Sequence, residues 1–224
     1  MSELKPVYNM TQEQNLFLAK RNIVDYIWKS ANLEGIKVTY SDTQSIYNGM
    51  AVSGYTIDEI NAINDLKHAW HFVLENINKP LDLDYIKKVH MLLGKFSVLN
   101  AGAIRREEVH IGGTDWIPDM PDDEKIINEL DSLTENIATA PLETALDIML
   151  FLMRSQRLLD GNKRLGMLIG NKIMIEHGQG IISVRQSDSS EFYLKLIRFY
   201  ETNDSAEIKQ FLYTNCIDGM DFAE

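Results

Sequence analysis

ALDIMLFLMRSQRLLDGNKRLGMLIGNKIMI runs from Ala145 to Ile175 and decides how the rest of the chain is read. Two apolar runs, Ala145 to Met153 and Leu165 to Ile175, flank the polar stretch Asp160-Gly161-Asn162-Lys163-Arg164. The pattern is helix, tight loop, helix. Both runs are apolar nearly all round, which places these helices at the centre of the molecule. Gly166 and Gly170 lie on one face of the second helix and allow another element to come close. A loop that opens a helix presents free backbone N–H groups, and the helix dipole adds partial positive charge there. Such a terminus suits an anion such as a phosphate. Asp160 has the chemistry to hold a divalent cation, and Lys163 and Arg164 to hold phosphate oxygens. Asp-Gly-Asn is equally a common turn and capping sequence, so the loop by itself also suits a plain capped helix.

Composition narrows the classes. The 224 residues suit one domain, with 45% hydrophobic and 25% charged residues, enough for an ordinary core. The net charge of -11 argues against extended contact with a nucleic-acid backbone. A single cysteine, Cys216, excludes an intrachain disulfide and favours a reducing compartment. Met1 to Tyr8 contains no apolar signal core, and no uncharged run is long enough to span a bilayer. The expectation is a cytoplasmic protein without membrane or nucleic-acid partners.

Helical periodicity extends over most of the chain. Helices are expected at about 11–33, 42–49, 57–76, 83–93, 122–137, 142–159, 164–176, 189–202 and 205–214, with Gly35 as a stop and Gly178 and Gly180 as breakers. One segment has strand character. Val109 and Ile111 alternate with polar neighbours, Gly112-Gly113 has the form of a two-residue hairpin turn, and Thr114 to Ile117 returns. From the residues alone a surface loop is the simpler reading of 105–117. A hairpin there would offer an edge to an extended peptide.

Taken together, these segments resemble the Fic domain family, whose motif has the form His-Pro-Phe-x-Asp-Gly-Asn-Gly/Lys-Arg between two central helices. Asp160 to Arg164 matches its second half. Gly102, Arg105, Val109 to Gly113 and Pro118 resemble the family's β-hairpin flap, and Ile86 to Leu92 the helix before it. Ser30-Ala31-Asn32-Leu33-Glu34-Gly35 resembles the inhibitory motif Ser/Thr-x-x-x-Glu-Gly/Asn of the subclass with an N-terminal inhibitory helix. The resemblance implies an all-α helical bundle with one small β-hairpin flap. Its parts are an N-terminal helix with the inhibitory-like motif (1–40), a core (41–215) and a C-terminal tail (216–224).

It also implies a protein adenylyltransferase, moving AMP from ATP to a protein hydroxyl with Mg2+. Asp160 would take the metal position; Gly161, Asn162, Lys163 and Arg164 the phosphates; and Ser30, Glu34 and Gly35 the inhibitory motif. Val109, His110, Ile111, Gly112 and Gly113 would form the flap on which the protein target docks. Relatives often self-associate, which adds a homo-oligomer to the expectations.

The first half of the motif departs from the family. Gln156 stands at the histidine position, Arg157 and Leu158 replace proline and phenylalanine, and Met167 stands where longer motifs carry a second arginine. An amide has no titratable proton near neutral pH, so Gln156 cannot act as a general base, a loss typically of about 10²–10⁴ in rate. Three functions follow: a weak or autoinhibited AMP transferase, an inactive nucleotide- or protein-binding regulator, or a phosphoryl transferase of Doc type, suggested by Lys163. Other groups carry less. His68 and His71 are spaced like metal ligands on a helix but lack an acidic or cysteine partner, His90 suits a buried helix position, and nothing around Cys216 would activate it.

Overall fold

A computed structural model describes residues 4–96 and 98–222. The first three residues of the opening segment and the last two of the tail lie outside the described residues.

Among them are ten α-helices: α1 (Gln12–Arg21), α2 (Ile23–Leu33), α3 (Tyr40–Tyr47), α4 (Ile57–Glu75), α5 (Leu83–Leu93), α6 (Asp123–Thr134), α7 (Pro141–Ser155), α8 (Asn162–Glu176), α9 (Ser189–Thr202) and α10 (Ala206–Asn215). The all-α expectation holds. The boundaries follow local chemistry. Thr11 and Thr56 each accept from the third helical amide, while Gln14 and Glu59 return the bond, two reciprocal capping boxes. Pro141 opens α7. The expected helix at 11–33 is divided at Asn22, whose backbone leaves the helical region (φ -107°, ψ 13°) and separates α1 from α2.

The central pair is α7 and α8, as their apolar composition requires. Twelve of the fifteen α8 residues are buried. A Cβ on Gly166 would fall 2.7 Å from the Met149 carbonyl oxygen, and one on Gly170 3.2 Å from that of Ala145. The helices therefore approach more closely than any side chain at 166 permits. α4, α5 and α1 surround α8.

The strands do not fall where the alternation placed them. The two-stranded antiparallel sheet pairs β1 (Ile181–Ile182) with β2 (Ile217–Asp218), so part of the segment expected as a tail is built into the fold. Asn171 of α8 anchors it, donating to the Ile182 carbonyl at 2.8 Å and accepting from its amide at 2.6 Å. Residues 107–120 form an extended loop with a turn at Gly112-Gly113 and no strand ladder. The physical reason lies in Arg105. Its buried guanidinium donates to the carbonyls of Glu107 (2.6 Å), Pro118 (3.3 Å) and Asp119 (2.6 Å), closing the flap at its base. One side chain takes the place of cross-strand pairing.

Candidate active site

α7 stops because Gln156 adopts a left-handed backbone (φ 45°, ψ 48°), a conformation costing a residue with a Cβ about 1–2 kcal/mol. Its surroundings hold it there. Arg105 Nε donates to the Gln156 carbonyl at 2.5 Å, and the Arg105 amide donates to Arg157 O at 3.0 Å. The Gln156 side chain donates through Nε2 to the Met153 carbonyl at 2.6 Å and accepts at Oε1 from Asn162 Nδ2 at 3.1 Å. The Asn162 amide also accepts from Leu158 N (3.1 Å) and donates to Leu158 O (2.8 Å). The side chain of Asn162 thus closes the loop between the two central helices. What it offers an anion is its backbone N–H, at the start of α8.

Gly161 precedes α8 with φ 78°. A Cβ there would come within 3.3 Å of Arg164 Nη2 and 3.7 Å of His90 Nε2. His90, buried on α5, joins three elements. Its Nδ1 accepts from the Gly102 amide at 2.8 Å, so the proton sits on Nε2, which donates to the Asp160 carbonyl at 2.7 Å. Burial is the main cause that holds its pKa below the ordinary histidine value, and the neighbouring Arg164 charge adds to it. A neutral imidazole that both donates and accepts is suited to fixing the loop.

The Asp160 carboxylate is 70% exposed. Oδ1 accepts from the Gly161 amide at 2.6 Å, and Oδ2 lies 3.6 Å from Arg164 Nη2. Lys163 Nζ lies 3.5 Å from Glu34 Oε1, donates to the Tyr193 hydroxyl at 2.8 Å and sits 4.6 Å above the Tyr193 ring. The Tyr193 hydroxyl donates to the Leu33 carbonyl, tying α9 to the end of α2. Gly35, at φ 85°, turns the chain away just after Glu34.

These groups surround a cavity of about 290 Å3. Gln156, Asp160, Gly161, Asn162 and Lys163 lie along one side, Glu34 contributes from the end of α2, and Val109, His110, Ile111 and Gly112 contribute from the flap. The remaining wall is α9, through Tyr193, Leu196, Ile197 and Tyr200. Those four escaped the sequence reading as site residues, although their spacing of three, four and seven marks one helical face. Burial is the main cause that raises the Tyr200 hydroxyl above its ordinary pKa.

Four residues expected at the site do not line this cavity, Gly35 among them. Gly113 faces Ile197 on α9. Ser30 lines a narrow crevice between α2 and α8, beside Arg164 and Met167. Arg164 has an 8% exposed side chain and a buried Nε without a partner, so it supports the loop from behind. Near it in charge is the fully buried Asp65 of α4, another residue missed from the sequence. Burial pushes the Asp65 carboxyl up to about 6, while the Phe96 amide and the Arg164 and Lys95 charges act in the opposite sense.

Other titratable groups have structural surroundings. His71 shares a 2.9 Å hydrogen bond with the Tyr47 hydroxyl, and burial pushes the Cys216 thiol up to about 12. A separate hollow of about 360 Å3 between the base of the flap, α6 and α7 holds Arg154 stacked 4.4 Å from the Trp116 ring and none of the residues from 160 to 164. Among the described residues no three His, Cys, Asp or Glu side chains converge as a ready metal cage, and no helix is long and apolar enough to cross a membrane.

Comparison with known proteins gives consistent matches. Residues 80–174, from α5 into α8, match the model of the Fic/DOC family. Protein adenylyltransferase Fic of Drosophila melanogaster is 25% identical over 205 residues, covering 86% of this chain and 40% of that protein. The Aedes aegypti protein of the same name is 27% identical over 183 residues, covering 78% of this chain and 36% of its own length. The chain thus spans well under half the length of these curated relatives. Among solved structures, C. elegans Fic-1 superposes with a TM-score of 0.74 at 20% identity, over 87% of this chain and 61% of that one. A Fic domain containing signaling protein from Bacteroides thetaiotaomicron gives 0.74 at 14% identity, over 92% and 86%. These structures share the fold.

Proposed function

Residues 80–174 make this chain a member of the Fic/DOC family, and from that premise we propose that it transfers AMP from ATP to a hydroxyl of a protein target. The observation that carries this reading is the meeting, in one cavity, of the α8 N-terminus, Asp160, Lys163 and the flap. The first amides of α8 have no earlier carbonyl to bond and point at the position a phosphate would take, in the sense the helix dipole favours. Lys163 adds a point charge. Gly161 lets the backbone turn where a side chain would press on Arg164 and His90.

Magnesium fits the donor set. It is held by one or two carboxylates together with substrate phosphates and water, and Asp160 is an exposed carboxylate on the cavity wall. When bound, the ion would neutralise charge on the phosphates. Arg164 orients the Asp160 carboxylate from behind. Glu34 lies on Lys163, where a phosphate would otherwise bind, and so lowers nucleotide occupancy. The flap, clasped at its base by Arg105, is the surface on which the target segment lies beside the nucleotide.

A second reading, nucleotide binding without transfer, is favoured by one observation: the Gln156 side chain is engaged by Met153 and Asn162 and offers no base. The experiment is incubation of the full chain with magnesium and ATP labelled at the α- or the γ-phosphate, wild type beside Gln156→His. α-Label on protein supports AMP transfer, and γ-label would indicate phosphoryl transfer of the Doc kind. Bound ATP with no label in either protein leaves the binding role.

A further inference from the structure

We infer that His110 of the flap accepts the proton of the target hydroxyl, in place of the residue at 156. The inference rests on the transfer reading above and adds the base that reading lacks.

The cavity contains a limited set of proton acceptors. Asp160 is engaged with the Gly161 amide and faces Arg164. Glu34 faces Lys163. The Tyr193 hydroxyl is committed to the Leu33 carbonyl, and burial holds the Tyr200 hydroxyl above its ordinary pKa. Gln156 is an amide, engaged on both sides. His110 is the single imidazole among the residues lining the cavity. Imidazole is also the side chain whose proton affinity best suits a base near neutral pH.

Oε1 of Glu108 lies 3.3 Å from His110 Nε2, which places a carboxylate beside the ring. A neighbouring carboxylate favours the imidazolium that forms when the ring takes a proton. A base oriented by a third group is the recurring arrangement for activating a hydroxyl. The position is equally apt. His110 stands between Val109 and Ile111 on the segment against which the target lies, so its partner is the incoming hydroxyl. In the step, the imidazole takes the hydroxyl proton while the oxygen forms a bond to the α-phosphorus. The bond from that phosphorus to the bridging oxygen breaks, and pyrophosphate leaves with the electron pair. The imidazolium, stabilised by Glu108, returns its proton to water. The charged and titratable groups facing His110 are Glu108 beside it and, across the cavity, Glu34, Asp160, Lys163, Tyr193 and Tyr200.

The test is a pH–rate profile of α-label incorporation with the full chain, magnesium and α-labelled ATP. Automodification and a mixture of hydroxyl-bearing peptides serve as acceptors. Wild type, His110→Gln, Glu108→Gln and Gln156→His are run together. The His110 side chain is 73% exposed, so His110→Gln leaves the core untouched. Expected are a wild-type rate that falls at acid pH, loss of that acidic limb with a drop of about 10²-fold or more in His110→Gln, and a smaller drop in Glu108→Gln. Wild-type rate and profile unchanged in His110→Gln would overturn the inference. A silent wild type beside an active Gln156→His would also overturn it, while leaving the transfer reading intact. Silence in both proteins would remove the transfer reading and this inference with it.

Discussion

Lys163 Nζ lies 3.5 Å from Oε1 of Glu34, although 129 positions separate the two residues in the chain. The pair joins the last turn of α2 to the first turn of α8. It occupies the lysine at the terminus proposed to receive phosphate. Removing the Glu34 charge frees Lys163 and removes a repulsion on the incoming triphosphate. Partly exposed ion pairs are worth up to about 1 kcal/mol, so Glu34→Gln should tighten ATP binding on the order of fivefold, with a smaller gain at high salt. Calorimetric titration of ATP with magnesium into both proteins measures this. Equal affinities would mean that Glu34 does not compete with nucleotide.

Arg105 determines the flap. It is buried, and it donates to carbonyls at both ends of the flap and to Gln156 O. Arg105→Ala leaves those carbonyls without a donor and should cost about 3 kcal/mol or more. Limited proteolysis reads the local effect: cleavage should move into 107–120 in the variant, well before global unfolding. A flap equally protected in the variant would contradict the clasp.

Asp65 predicts a pH dependence. With its pKa raised to about 6, the folded protein binds this proton more tightly than the unfolded chain, whose carboxyl has the ordinary value near 4. Between about pH 4 and 6 the native state therefore holds more protons, and this contribution to stability is lost as pH rises through that window. Asp65→Asn stays neutral and lacks the loss. Its Tm should exceed wild type at pH 7, by at most about 3 kcal/mol in stability, and the difference should shrink towards pH 4. A difference that is constant with pH would refute the assignment.

Gly166 and Gly170 rank by distance. A methyl at 166 meets the Met149 carbonyl at 2.7 Å and Met153 Cγ at 3.0 Å, and backbone cannot yield as a side chain can. Gly166→Ala should destabilise by about 1–3 kcal/mol. At 170 the approach is 3.2 Å, and the helical preference of alanine over glycine, about 1 kcal/mol, offsets most of the crowding. Denaturant unfolding of both variants should give a clear loss for the first and near neutrality for the second. The reverse order would mean that α7 and α8 pack differently.

The chain by itself determined the central helices and the loop between them. Apolar runs of helical length require burial, and Asp-Gly-Asn before such a run requires a turn and a helix start. Gly35 and the capping threonines are equally local, because each depends on a few neighbouring residues. What the tertiary structure decided depends on atoms distant in sequence. Alternation at 109–111 could not show that Arg105 would hold the flap's carbonyls in place of a partner strand. Nothing near Arg164 in sequence shows that its guanidinium turns behind the loop while Lys163 faces the cavity. Nor could spacing pair Glu34 with Lys163 or bring His110 to the same cavity as Gln156. Local preferences are set by each residue's own backbone and apolar surface, whereas the partner of a charge is set by which helices pack together.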